Sequence, residues 1–108
     1  MRKEELMAGQ TLTGKQIRAL RALAHHLRPV VQVGKAGVTA GVIEQVEEVL
    51  DAQELIKVSV LDTSPLERDE VGDILVEETG ASWVQSIGRT VVLYRRNKEN
   101  PQIELPSP

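Results

Sequence analysis

Aromatic residues are nearly missing from this chain, which has one Trp, one Tyr and no Phe among 108 residues. Sheet-surface binders of the RRM type and single-strand binders of the OB type stack bases on several aromatic rings, so that mode of contact is excluded. Cysteine is absent as well. That rules out a disulfide scaffold and thiolate metal sites, and it fits a cytoplasmic protein. No apolar run approaches the roughly 20 residues that cross a bilayer, and Met1 to Gln10 lacks the apolar core of a signal peptide. The expectation is a cytoplasmic chain with no membrane contact.

A further absence is local. From Leu6 to Ile43 there is no Asp or Glu, while Lys15, Arg18, Arg21, Arg28 and Lys35 give the segment a charge of +5. Glu44 to Glu78 inverts the balance, with twelve acids against Lys57 and Arg68. Arg89, Arg95, Arg96 and Lys98 then make Thr79 to Lys98 positive, and the whole chain carries −3. A polyanion responds to local potential, so a net-acidic protein sorted in this way can still present a strongly positive face.

Periodicity places these charges on elements. At this length one domain with one modest core is expected: a loose lead-in over 1–10, a binding domain over 11–98 and an irregular tail over 99–108. Thr13 and Gln16 form a Thr-x-x-Gln capping box, followed by an apolar stripe of Ile17, Leu20, Leu23, Ala24 and Leu27. Lys15, Arg18, Arg21 and His25 fall on the opposite side, and Pro29 ends the helix near Arg28. Val30 to Val33 reads as a buried strand, Ala40 to Ala52 as a helix capped by Thr39, and Leu55 to Leu61 as an alternating strand. Ser64, Pro65 and Glu67 suggest a second capping box opening a helix that stops at Gly80. Ser82 to Ile87 and Thr90 to Arg95 form a hairpin about Gly88-Arg89, with Arg89 at its tip. The order α-β-α-β-α-β-β defines a single α/β domain with a four-stranded mixed sheet packed with helices.

One motif carries chemistry. A strand running into Gly34-Lys35-Ala36-Gly37 before a helix offers an anion backbone N–H groups, a positive dipole end and an ammonium. Glycine at a strand-to-helix turn also has a purely conformational reading. The unbalanced cations beside it favour binding, because a merely solvated helix face mixes both signs. Catalysis finds no support. The adjacent His25 and His26 point about 100° apart on a helix and cannot share a metal, no nucleophile elbow is present, and the GKAG run lacks Walker spacing. The acids of Glu44 to Glu78 read as the solvated outer faces of two helices, and alternatively as a surface for a basic protein. Trp83 and Tyr94 read as packing residues.

Several separated runs carry a family likeness. Leu12-Thr13-Gly14-Lys15-Gln16, the stretch from Ala24 to Thr39 that contains His25-His26-Leu27-Arg28-Pro29 and Gly34-Lys35-Ala36-Gly37, then Glu54-Leu55-Ile56-Lys57-Val58, Glu77-Glu78-Thr79-Gly80-Ala81 and Ile87 to Arg95 resemble a YhbY-type CRM domain. That resemblance implies an RNA-binding domain with a fold similar to the C-terminal domain of bacterial translation initiation factor three. It also implies association with precursors of the large ribosomal subunit, contact through the GxxG loop, no cofactor and no enzymatic activity. The expected RNA-binding residues are Gly34, Lys35, Ala36, Gly37, Lys15, Arg18, Arg21, Arg28 and Arg89. The expected partner is ribosomal RNA in a precursor subunit, bound by a monomer, with a ribosomal protein as a further contact. The alternative is a non-catalytic adaptor whose acidic helices hold a basic ribosomal protein.

Overall fold

The first helix starts where its side chains can close the backbone. In the computed structural model, which describes residues 11–108, Thr13 Oγ1 accepts from the Gln16 N–H at 3.2 Å and Gln16 Oε1 accepts from the Thr13 N–H at 3.1 Å. The expected lead-in over 1–10 lies outside the described residues. Helix α1 spans Gly14–Ala24, a turn shorter than the sequence suggested. A Pro29 ring would clash with the His25 carbonyl of a continuing helix, so the geometry is given up before Arg28. Leu20 and Ala24 are buried, Ile17 and Leu27 half-buried, and Leu23, expected inside, is 48% exposed.

Strand β1, Pro29–Val33, pairs parallel with β2, Leu55–Val60; β2 pairs antiparallel with β4, Thr90–Tyr94, which pairs antiparallel with β3, Ser82–Ile87. The sheet order is β1-β2-β4-β3, a mixed sheet of four strands as expected. The β3–β4 turn has Gly88 at φ 54°, and Glu54 is the one non-glycine residue with positive φ among the described residues. Arg89 is therefore at negative φ, the pattern of the expected II′ hairpin.

Two cores lie on the two faces of this sheet. On one face Val31, Val33, Ile56, Val58, Val60, Val91 and Leu93 pack against helix α2, Ala40–Gln53, and helix α3, Arg68–Thr79, through Val46, Leu50, Val71 and Leu75. On the other face Leu55, Val84, Val92 and Tyr94 pack against Leu20 and Ala24 of α1, with Ile103 and Leu105 of the tail docked beside them. Burying each such Leu or Ile stabilises the fold by roughly 1.5–3 kcal/mol. Trp83 packs on the first core, and its ring fits only because residue 72 is glycine: a Cβ there would meet Trp83 at 2.5 Å.

The opening of α3 differs from expectation. Ser64 Oγ accepts from the Leu66 N–H and donates to the Leu66 carbonyl, closing a local turn, and Glu67 is the N-cap, its N–H donating to Glu70 Oε1 at 2.9 Å. A serine that finds a partner two residues away has no reason to cap a helix three residues on. Glu54, which the sequence placed among solvated acids, is fully buried. Its carboxylate accepts from the N–H groups of Asn97, Gln102 and Ile103 at 2.7–2.8 Å and so ties the tail to the body.

Candidate nucleic-acid interface

The GKAG loop continues directly from β1. The Gly37 N–H donates to the Gly34 carbonyl at 2.9 Å, and Gly37 is buried at φ 71° against Pro65. A side chain at that φ is strained, so Gly37 is required by the turn itself. Gly34 is not at positive φ, and a Cβ there would make ordinary contacts with Leu61 and Thr63. The loop tip, Lys35 and Ala36, is exposed. Thr39 Oγ1 accepts from the Val42 N–H at 3.1 Å, and α2 carries no acid in its first turn, so its positive dipole end is left uncompensated close to Lys35.

The backbone fixes what stands beside this loop. The Leu61 N–H donates to the Val33 carbonyl and the Val60 N–H to the Arg89 carbonyl, both at 2.8 Å. The GKAG turn and the Gly88-Arg89 hairpin therefore lie at the same end of the sheet. Arg89 is not a free cation, since its guanidinium meets Asp62 at 2.6 Å, although both groups are well exposed and such a pair is worth about 0–1 kcal/mol. Arg28 stands at the other end of β1, a strand length of roughly 17 Å from the loop. Lys15, Arg18 and Arg21 are exposed on α1, with no acid partner among the described residues. His25 and His26 follow α1 in an exposed turn, their rings edge to face at 5.5 Å.

The larger arrangement is electrostatic. The helices on one face of the sheet carry the acids, Glu44, Glu47, Glu48 and Asp51 on α2 and Asp69, Glu70, Asp73, Glu77 and Glu78 on α3. On the other face α1 has no acid, and the strand residues directed there add only Lys57 to the charge. The sheet thus separates most of the charge by sign into two layers, with Glu104 of the docked tail as an acid on the α1 side. Arg95 crosses to the acidic layer, bonding Glu47 and Asp51 at 2.8 Å and the Thr79 carbonyl at 2.7 Å. The partners of Arg95 and Arg89, and the burial of Glu54, were not readable from sequence, because each joins residues dozens of positions apart. Among the described residues no cluster of His, Cys, Asp or Glu could hold a metal ion, and no helix is long and apolar enough to cross a membrane.

The layered α/β domain belongs to a known family: the CRS1 / YhbY (CRM) domain matches residues 12–95. Among its relatives is the Bacillus subtilis protein named "probable RNA-binding protein YqeI", 54% identical over 95 residues that span 88% of this chain and 99% of that one. An RNA-binding protein of Haemophilus influenzae is 44% identical, covering 89% of this chain and 96% of its own. The solution structure of SAV1595 from Staphylococcus aureus superposes with a TM-score of 0.74 at 46% identity, covering 89% of this chain and all of that one.

Proposed function

We propose that this chain is a non-catalytic, cytoplasmic RNA-binding protein that acts as a monomer, associates with precursors of the large ribosomal subunit and assists their assembly. The binding unit spans 11–98, and the GKAG loop and the cations of α1 grip structured ribosomal RNA. The observation that carries this reading is the sorting of charge across the sheet, which leaves Lys15, Arg18 and Arg21 without an acid on their own helix. Unpaired like charges destabilise a helix slightly, and a polyphosphate relieves that repulsion. The RNA-binding names of relatives that align along nearly their full length support the same reading. The adaptor alternative is weaker, because Glu47 and Asp51 of the acidic layer are already engaged by Arg95.

Sedimentation of cell lysate tests the proposal. The protein is expected with large-subunit precursors at low salt and near the top of the gradient at high salt, since phosphate contacts release counterions. Its presence only in translating polysomes, or only at the top at low salt, would contradict a role in assembly, and retention on a protein after nuclease treatment would favour the adaptor.

A further inference from the structure

A carboxylate stands between the two cations at the GKAG end of the sheet. The 61–66 segment lies between the GKAG loop and the β3–β4 hairpin: a Cβ at Gly34 would touch Leu61 and Thr63, Gly37 rests on Pro65, and the Val60 N–H donates to the Arg89 carbonyl at 2.8 Å. The Ser64 N–H donates to the Leu61 carbonyl at 3.0 Å, which turns the chain around Asp62. On the hairpin side, Arg68 donates to the Gly88 carbonyl at 2.9 Å and holds the tip in place. These contacts bring Asp62 to Arg89, whose guanidinium meets the carboxylate at 2.6 Å. The pair is no packing contact, since the Arg89 and Asp62 side chains are 64% and 85% exposed, and an ion pair so placed adds little to stability. An acid at this position also repels any polyanion that approaches Lys35. Arg68 does not neutralise it, being engaged by Asp69 at 2.9 Å.

We infer that Asp62 is a placeholder for phosphate: its carboxylate occupies the Arg89 guanidinium in the free protein, an RNA phosphate takes its place on binding, and this exchange sets how tightly the surface holds RNA. The chemistry allows the exchange, because carboxylate and phosphate oxygens both fit the planar fork of a guanidinium. Space allows it as well, since Asp62 and Arg89 line an open cleft of about 320 Å³ in which the guanidinium can change partners. A phosphate that reaches Arg89 alone gains little over the carboxylate it displaces. A backbone that also reaches Lys35 and the uncompensated N-terminus of α2 gains more, so Asp62 selects for RNA that spans both loops.

This inference rests on the RNA-binding reading, and a double-mutant cycle keeps the two apart. Affinities of the wild type, Asp62→Asn, Arg89→Ala and Asp62→Asn/Arg89→Ala for a mixed-sequence RNA hairpin are measured by fluorescence anisotropy across a salt series. All four should melt alike, because the pair is exposed. Asp62→Asn should raise the affinity of the otherwise wild-type chain roughly fivefold, by removing both the competition for Arg89 and the repulsion of phosphate. In the Arg89→Ala background the same change should gain less than about twofold, since only the repulsion is left to remove. Adding Arg89→Ala to Asp62→Asn should flatten the salt slope by about 1, the loss of one phosphate contact. Equal gains in both backgrounds assign Asp62 to general repulsion and overturn the exchange. A larger gain beside Arg89→Ala shows that the guanidinium keeps its carboxylate in the complex, and no gain in either background removes Asp62 from the interface; both overturn the placeholder while RNA binding stands. No salt-dependent RNA binding by the wild type overturns both.

Discussion

Lys35 is the residue on which the proposed binding surface turns, because it is exposed at the tip of a loop whose neighbours are fixed by backbone geometry. Lys35→Ala is expected to leave thermal unfolding unchanged and to lower the slope of log affinity against log salt by about 1, the loss of one phosphate contact. A wild-type slope in the folded variant would remove Lys35 from the interface. Gly72 is a residue of the opposite kind, without chemistry yet indispensable to packing. Alanine normally stabilises a helix interior relative to glycine by up to about 1 kcal/mol, but here its Cβ would lie 2.5 Å from the Trp83 ring. Overpacking costs typically 1–3 kcal/mol, so Gly72→Ala should be net destabilising, with a lowered denaturation midpoint as the measured outcome.

Among the elements, the tail is held by the packing of Ile103 and Leu105, by the Gln16 amide donating to the Pro106 carbonyl and, above all, by one buried acid, Glu54. Burial pushes the Glu54 carboxyl up, but the N–H groups of Asn97, Ile103 and Gln102 and the nearby Arg96 push it further down, so it lies below the ordinary carboxylate range. Its backbone is at φ 65°, a strained position kept by the Glu54 N–H donating to the Leu50 carbonyl and the Glu54 carbonyl accepting from the Arg95 N–H. A carboxylate with a lowered folded pKa stabilises fully above its unfolded value of about 4.3, and that contribution is lost as pH falls through the folded value. Glu54→Gln should therefore cost about 2 kcal/mol near neutral pH, with the gap to wild type closing in acid, and should speed amide exchange at Gln102 and Ile103. An equal gap at all pH values would show that the ionised form is not what holds the tail. Burial also pushes the Tyr94 hydroxyl pKa up, with Glu54 adding to the effect, in keeping with a phenol that finds no partner among the described residues.

For the whole molecule the decisive property is the sorting of charge by the sheet. Arg18→Glu/Arg21→Glu is expected to weaken RNA binding more than Lys35→Ala does, since each reversal replaces attraction by repulsion on the cationic layer. Glu44→Lys/Glu48→Lys, on the acidic layer, should leave binding intact or strengthen it. Affinities at matched ionic strength check both, and damage confined to the acidic-layer variant would misplace the interface.

The elements and their order were legible in the sequence because their signals are local: alternation, the Thr13 and Thr39 caps, and glycines at Gly37, Gly80 and Gly88 that sit at positive φ. The GKAG turn and the acid-free helix were legible for the same reason. The capping of α3 was misread because Ser64 and Glu67 fit one local pattern while Glu67 and Glu70 fit another, and sequence spacing does not rank them. What only the tertiary structure decided is which residues separated along the chain come together. Strand order brings Arg89 to the end of the sheet that carries Lys35 and leaves Arg28 at the other. Chain reversal buries Glu54 under a tail more than forty positions away. Periodicity assigns a side chain to a face of its own element, whereas the neighbours on that face depend on how the elements pair, which is settled by packing over the whole chain.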